Sequence, residues 1–476
     1  MNDELCFMPA TEMIERFTRR TLSPVEVAEA VVAQIERFDP AINAFVTRTP
    51  ELALEQAERA ESEYTRGTAR TLSGVPISIK DLTPTRGIRT TRGSLIEPDW
   101  VPDYDPPFVQ RVNDAGAVML GKTNTPEFGW KGETTNRVAG STHNPWKYGK
   151  TPGGSSGGGA AAVAAGMGPL AQGSDGAGSI RIPCGFSGIF GLKPTFGLVP
   201  QYPASVLGDI SHMGPMTRTV ADSALLLNVT AGADPTDRWG FSSGIDYVAA
   251  LNPAAVKGLK IAWTPGLGYA AVDPEVARIA ENAAMAFADL GAEIVHTDPG
   301  LPDPWDIVDA IWACGMAGMH KDNLDAVREI IDPGRLEVIE SASRYTAIDL
   351  ANAHIRRSHY YDGLRMFFES YDLLLTPTLP CGAFDVGQAH PGSIDGRQTT
   401  YLGWTAFTYP FNLTGSPAAT VPAGFTAEGL PVGLQIVGRR HDDSLVLSAA
   451  ASFEHIRPWS HLRPPLDALP AEVPGS

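Results

Sequence analysis

Gly153-Gly154-Ser155-Ser156-Gly157-Gly158, then Asp175-Gly176-Ala177-Gly178-Ser179-Ile180-Arg181, then Gly191-Leu192-Lys193-Pro194-Thr195: this stretch narrows the reading of the 476-residue chain more than any other. It places two serines 24 positions apart (179 minus 155), each among glycines. Glycine at that density weakens helices and strands, and is tolerated where the backbone takes positive φ or approaches a ligand closely. Serines in such a setting read as chemistry.

Outward from that block, helical and extended patterns alternate. Ser23-Pro24-Val25-Glu26 supplies an N-cap, a proline at the first helical position and a capping-box glutamate, and the apolar spacing that follows predicts a helix over 24–38. A second helix is predicted over 52–60, and Gly74-Val75-Pro76-Ile77-Ser78-Ile79-Lys80 reads as a strand whose last residue is a lysine. Helix then strand recurs over 108–115 and 118–120, and again over 273–290 and 293–296. This alternation predicts an α/β fold around a mainly parallel or mixed sheet. From about 302 to 370 the pattern is mostly helical and rich in Trp, Met, His and Tyr, before a strand over 371–375. That stretch reads as an insertion shaping a pocket within one large domain spanning 1–476.

Composition excludes several classes. Hydrophobic residues at 43% with 19% charged are ordinary for a globular chain, which leaves a substantial core available. The formal charge of −17, with no lysine-arginine cluster, argues against nucleic acid as a partner. Cys6, Cys184, Cys314 and Cys381 form no CxxC pair, so neither a zinc site nor a disulfide framework is expected and a reducing cytoplasm fits. The acidic start Met1-Asn2-Asp3-Glu4 lacks an apolar h-region, so no signal peptide is expected. The Gly157 to Ala171 run is too short and too poor in leucine for a membrane span, so a soluble protein is expected.

Three motifs mislead. Gly116-Ala117-Val118-Met119-Leu120-Gly121-Lys122-Thr123 matches a P-loop literally, but its middle is a continuous apolar strand where a phosphate cradle needs a loop. Gly266-Leu267-Gly268-Tyr269-Ala270-Ala271 imitates a dinucleotide fingerprint, yet a fresh helix start at Asp273-Pro274 separates those glycines from their helix. Gly153-Gly154-Ser155-Ser156-Gly157 satisfies the GxSxG elbow but follows Trp146-Lys147-Tyr148-Gly149-Lys150-Thr151-Pro152, which is no apolar strand.

A serine hydroxyl is a poor nucleophile until a neighbour takes its proton. None of the ten histidines lies in the glycine-rich block, which leaves lysine as the other base. Lys80 ends an otherwise apolar strand, where desolvation favours its neutral form. To serve near pH 7 its pKa must fall from about 10.4 toward about 7–8, a differential of roughly 4 kcal/mol. A lone strand-end lysine is usually a surface charge, and serines in glycine loops usually make turns. Their joint occurrence reverses those odds.

The arrangement resembles the amidase signature family, through the Gly-Gly-Ser-Ser-Gly-Gly block, the strand-end lysine and the counterpart, in Asp175 to Arg181, of an Asp-x-Gly-Gly-Ser-Ile-Arg segment. Gly121-Lys122-Thr123-Asn124, Asn144-Pro145-Trp146, Gly191-Leu192-Lys193-Pro194-Thr195 and Pro431-Val432-Gly433-Leu434-Gln435 extend the match from about Leu22 to about His455. The resemblance implies an amidase signature fold, a large mixed β-sheet flanked by helices on both faces. It implies Ser179 as nucleophile, Ser155 as bridging serine on a cis peptide after Gly154, and Lys80 as base. The amides of Gly176, Ala177, Gly178 and Ser179 would form the oxyanion hole, with Gly154, Asp175 and Arg181 in support. Ala177 departs from the usual pattern, where glycine is commoner, and its methyl is expected to narrow or reshape the pocket.

Gly129, Trp130, Trp312 and Met316 are candidates for an apolar substrate pocket, although Trp and Met at helical spacing are more often plain core. The expected activity is serine-dependent hydrolysis of the C–N bond of a small hydrophobic amide, aryl acylamide or carbamate, with possible esterase and urethanase activity and no metal or organic cofactor. Two alternatives stand beside it: a glutamine-dependent amidotransferase subunit, and a catalytically silent binding protein on the same fold. A monomer or homodimer is expected, with a small molecule as its partner and neither nucleic acid nor membrane.

Overall fold

The computed structural model describes residues 3–470, so Met1 and Asn2 of the acidic start lie outside the described residues. Eleven strands form one sheet. In chain order they are β1 (Phe45–Arg48), β2 (Pro76–Lys80), β3 (Val118–Thr123), β4 (Leu170–Asp175), β5 (Phe190–Lys193), β6 (His212–Thr217), β7 (Lys260–Trp263), β8 (Glu293–His296), β9 (Leu373–Pro377), β10 (Ala418–Phe425) and β11 (Pro431–Gly438). Their spatial order is β1-β3-β2-β4-β6-β5-β10-β11-β9-β7-β8. The sheet is mixed: β2 runs parallel to β3 and to β4, whereas β4 and β6 are antiparallel.

Successive strand residues point to opposite faces, and both faces here are apolar. Leu373 and Leu375 of β9 belong to one core cluster, with Ile261, Trp263 and Val421. Leu374, between them, joins Ala262, Ala418 and Val437 in a different cluster. A sheet covered on both sides explains why its strands read as continuous apolar runs instead of alternating ones.

The helix starting at Pro24 runs to Ile42, past its expected end at 38, and both halves of the Ser23/Glu26 capping box are formed. It continues through Pro40 and stops at Asn43, which adopts the left-handed conformation. The glycine-alanine run after Ser156 contains the helix Gly157–Ala164, every residue of which is buried. Among the described residues no helix is long and apolar enough to cross a membrane. The P-loop mimic is strand β3, as its apolar middle required, and Gly266 to Ala271 falls in the connection between β7 and a helix starting at Pro274.

Between β8 and β9 lie the helices Trp305–Gly318, Leu324–Val327, Pro333–Ser341 and Ala347–Phe367. The returning strand begins at Leu373, slightly later than the pattern from Tyr371 suggests. Tyr371 stacks on Phe367, and the Asp372 carboxylate accepts a hydrogen bond from the Lys260 amide at 2.9 Å, so both are used in the approach to the strand.

Candidate active site

Strands β2 and β4 lie side by side in parallel, with Ile79 opposite Gln172. Lys80 and Ser174 therefore emerge together at their C-terminal ends, where open α/β sheets assemble ligand sites. Lys80 is fully buried. Its Nζ donates to Ser155 Oγ at 2.7 Å and to Ser174 Oγ at 3.0 Å. Burial pushes Lys80 down from the ordinary amine range to about 7, against the opposing pull of the Asp175 charge. A neutral amine able to accept a proton is thus accessible near neutrality.

Ser155 precedes the buried helix Gly157–Ala164, and the Gly154–Ser155 peptide is cis. Gly154 lies against the Glu133 backbone so closely that a Cβ there would come within 2.7 Å of the Glu133 nitrogen, which leaves room only for glycine. The Ser156 amide donates to the Ser179 carbonyl at 3.2 Å, tying the two serine loops together. Ser155, Ser174 and Ser179 all line one cavity of about 120 Å³.

The loop before Ser179 is organised by Asp175. Both of its oxygens take hydrogen bonds from Arg181, from Nε at 3.0 Å and Nη2 at 3.0 Å, and both side chains are inaccessible to solvent. Arg181 also donates to the Thr408 carbonyl, Gln435 Oε1 and Asn412 Oδ1. Burial raises the Asp175 pKa, but the charge and hydrogen bonds of Arg181 outweigh it and hold the carboxyl well below the usual range. Asp175 stays ionised and anchors the loop.

That anchoring corrects one expectation. The Gly178 amide donates to Asp175 Oδ1 at 2.6 Å, so it is already committed and does not belong to the oxyanion hole. Gly178 is needed for its backbone instead: φ is +131°, and a Cβ would sit 2.4 Å from Thr408 Oγ1. Among the described residues, the amides of Gly176, Ala177 and Ser179 have no hydrogen-bond acceptor.

Of the pocket candidates, Gly129, Trp312 and Met316 line the cavity with Ser155 and Ser179. Trp130 does not: it is buried in an apolar cluster with Trp312, Leu402 and Ala406, its ring 6.3 Å from that of Tyr401. Ala177 belongs to the same cluster, as do Trp312 and Met316, but unlike those two it is absent from the cavity wall. Sequence patterns single out neither Ser174 nor Gln172. Gln172 Oε1 accepts from the Lys80 amide at 3.1 Å and from Thr83 Oγ1 at 3.1 Å, which fixes the end of β2. The available signal for Ser174 is position, since it directly precedes Asp175 on the strand that abuts the lysine.

The buried lysine makes a stability prediction. Because its folded pKa lies below its unfolded value of about 10.5, the charged form is penalised, a cost of about 4 kcal/mol at pH 7. The cost is complete below pH 7 and fades as pH rises toward 10.5. Lys80→Met removes it, partly offset by two hydroxyls losing a partner at about 1–3 kcal/mol each. In urea unfolding, the stability of Lys80→Met relative to the parent is expected to fall by about 2–3 kcal/mol between pH 6 and pH 9. A pH-independent difference would show that Lys80 is not a depressed amine.

A family profile described as Amidase matches residues 26–447. The chain is 42% identical over 467 residues to an acylamidase of Rhodococcus erythropolis, covering 97% of this chain and 98% of that one. It is also 36% identical to a glutamyl-tRNA(Gln) amidotransferase subunit of Moorella thermoacetica, covering 97% of this chain and 99% of that one. A crystal structure of a bacterial aryl acylamidase of the amidase signature enzymes superposes with a TM-score of 0.88 at 32% identity, covering 95% of this chain and 97% of that one.

Proposed function

The chain belongs to the amidase signature family and hydrolyses amides as a member of it, and on that premise we propose that its substrates are small uncharged acyl amides, aryl acylamides above all. One observation carries this reading. None of the residues lining the cavity around Ser179 is Asp, Glu, Lys or Arg; Leu82, Phe128, Leu207, Trp312 and Met316 share its wall with uncharged polar residues such as Thr83, Gln201 and Ser205. A zwitterionic glutamine would bring an ammonium and a carboxylate into that cavity without a counter-ion for either, at several kcal/mol per desolvated ion. An acylamide brings neither. This disfavours the amidotransferase reading despite the similarity to such subunits.

In this mechanism Lys80, neutral, takes the proton of Ser155 as Ser155 takes that of Ser179, and Ser179 Oγ bonds to the amide carbonyl carbon. The oxyanion faces the amides of Gly176, Ala177 and Ser179, preorganised donors whose value rises in a water-poor site. Collapse breaks the C–N bond, and the proton returns from Lys80 through Ser155 to the departing amine. Water then attacks the ester, its proton following the same relay, and the acid leaves. Esters and carbamates present the same carbonyl, so phenyl acetate and aryl carbamates are expected to react as well.

The test uses the purified protein alone. Amine release from acetanilide is expected with kcat/KM at least about 10²-fold above glutamine, the size of effect expected for unpaired buried charge. It is expected to rise with pH through about 7 and then level, since the neutral amine is the active form. Glutamine turned over faster than acetanilide would overturn the substrate assignment.

A further inference from the structure

A second cavity of about 200 Å³ adjoins the catalytic one, sharing Gln201, Ser205 and Ser211 with it. We propose that this second cavity is the subsite for the amine half of the substrate, and that it receives an aromatic ring against Trp239 and Phe196. The inference rests on the acylamide reading above and extends it.

Size makes the first argument. A cavity of about 150 Å³ holds one benzene ring. The 120 Å³ beside Ser179 therefore takes one small group, and an anilide carrying both an acyl chain and a ring must extend beyond it. The adjoining space is large enough for the second group.

The order of the chemistry makes the second. The amine departs while the acyl group is still bound to serine, so the amine half must occupy the side open to solvent. Trp312 and Met316, at 2% and 1% exposure, close one wall of the catalytic cavity, while Tyr202 and Val206, 43% and 40% exposed, mark its open side. The second cavity adjoins that side through Gln201 and Ser205, the chain neighbours of Tyr202 and Val206, and is itself open to solvent at Trp239, Thr236 and Arg238.

Its lining makes the third. The Trp239 and Phe196 rings meet edge-on at 5.5 Å, and the Arg238 guanidinium lies 3.9 Å from the centre of the Trp239 ring. The Asp237 carboxylate is occupied, accepting from the Gln201 amide at 3.0 Å and the Trp239 amide at 2.9 Å. The carboxylate thus fixes the backbone carrying the indole, and an aromatic ring entering the cavity would gain offset or edge-on contacts with these side chains.

Two measurements test it. In Ser179→Ala, calorimetric titration with aniline is expected to show saturable binding that Trp239→Ala abolishes and Trp239→Phe largely restores. In the active enzyme, Trp239→Ala is expected to lower kcat/KM for acetanilide about tenfold or more, within the range of one lost apolar contact set. Acetamide, with the same acyl group, should change less than about twofold. Equal losses on acetanilide and acetamide, or losses that follow the acyl group from acetamide to benzamide, would overturn the assignment. So would aniline binding that ignores Trp239. Absence of any amide turnover in the parent would overturn the acylamide reading alone, and the aniline titration would still decide the subsite.

Discussion

Ser179→Ala is expected to abolish both hydrolysis and covalent labelling by a serine-directed phosphonyl fluoride, with Ser155→Ala and Lys80→Ala each lowering kcat by about 10⁴-fold or more, as groups acting as a unit do. The expectation rests on the contact of Lys80 Nζ with Ser155 Oγ at 2.7 Å and on the presence of Ser155 and Ser179 in one cavity. The two serines predict different labelling. If Ser155 only relays a proton, Ser155→Ala still carries the hydroxyl that the probe modifies and should label slowly, whereas Ser179→Ala should not label at all. Retention of labelling in Ser179→Ala with its loss in Ser155→Ala would make Ser155 the nucleophile. Combining Ser155→Ala with Lys80→Ala should add little to either change alone, because each breaks the same relay.

The second large effect is expected at Arg181, which is fully buried and donates to Asp175, Thr408, Gln435 and Asn412. Arg181→Met leaves the Asp175 carboxylate buried without its counter-ion, and breaking such a pair costs about 3–5 kcal/mol. That is a large part of the roughly 5–15 kcal/mol by which a folded domain is typically stable. Activity should fall with stability, since the same carboxylate holds the amides of Gly178 and Ile180. Arg181→Lys should not rescue it, because an ammonium lacks the planar fork that spans these acceptors. The double change Asp175→Leu with Arg181→Met should be less destabilising than the sum of the singles. Chemical unfolding decides the matter: Arg181→Met within about 1 kcal/mol of the parent would show that the ion pair does not hold this loop.

Features that are local, or ordered along the chain, are legible without a structure. The Ser23/Glu26 capping box is carried by one short segment. The continuous apolar stretch of β9 follows from a strand buried on both faces. The serine spacing, the aspartate before the second serine and the strand-end lysine can be read because they sit in short blocks whose order is part of the pattern. Even the depressed lysine is legible, since an amine closing an apolar strand has little water to hold its charge.

Contacts between distant parts of the chain are settled only when it folds. Thr408, Asn412 and Gln435 reach Arg181 across intervals of 227, 231 and 254 residues, too far for any local pattern to announce them. Ser174 becomes a partner of Lys80 only through the register of β2 on β4. The direction of one amide decides that Gly178 serves Asp175 instead of an oxyanion. Trp130, Ala177, Trp312 and Met316 share one apolar cluster, yet of these Trp312 and Met316 also line the cavity, a choice that residue type cannot make because apolar core and apolar pocket call for the same side chains.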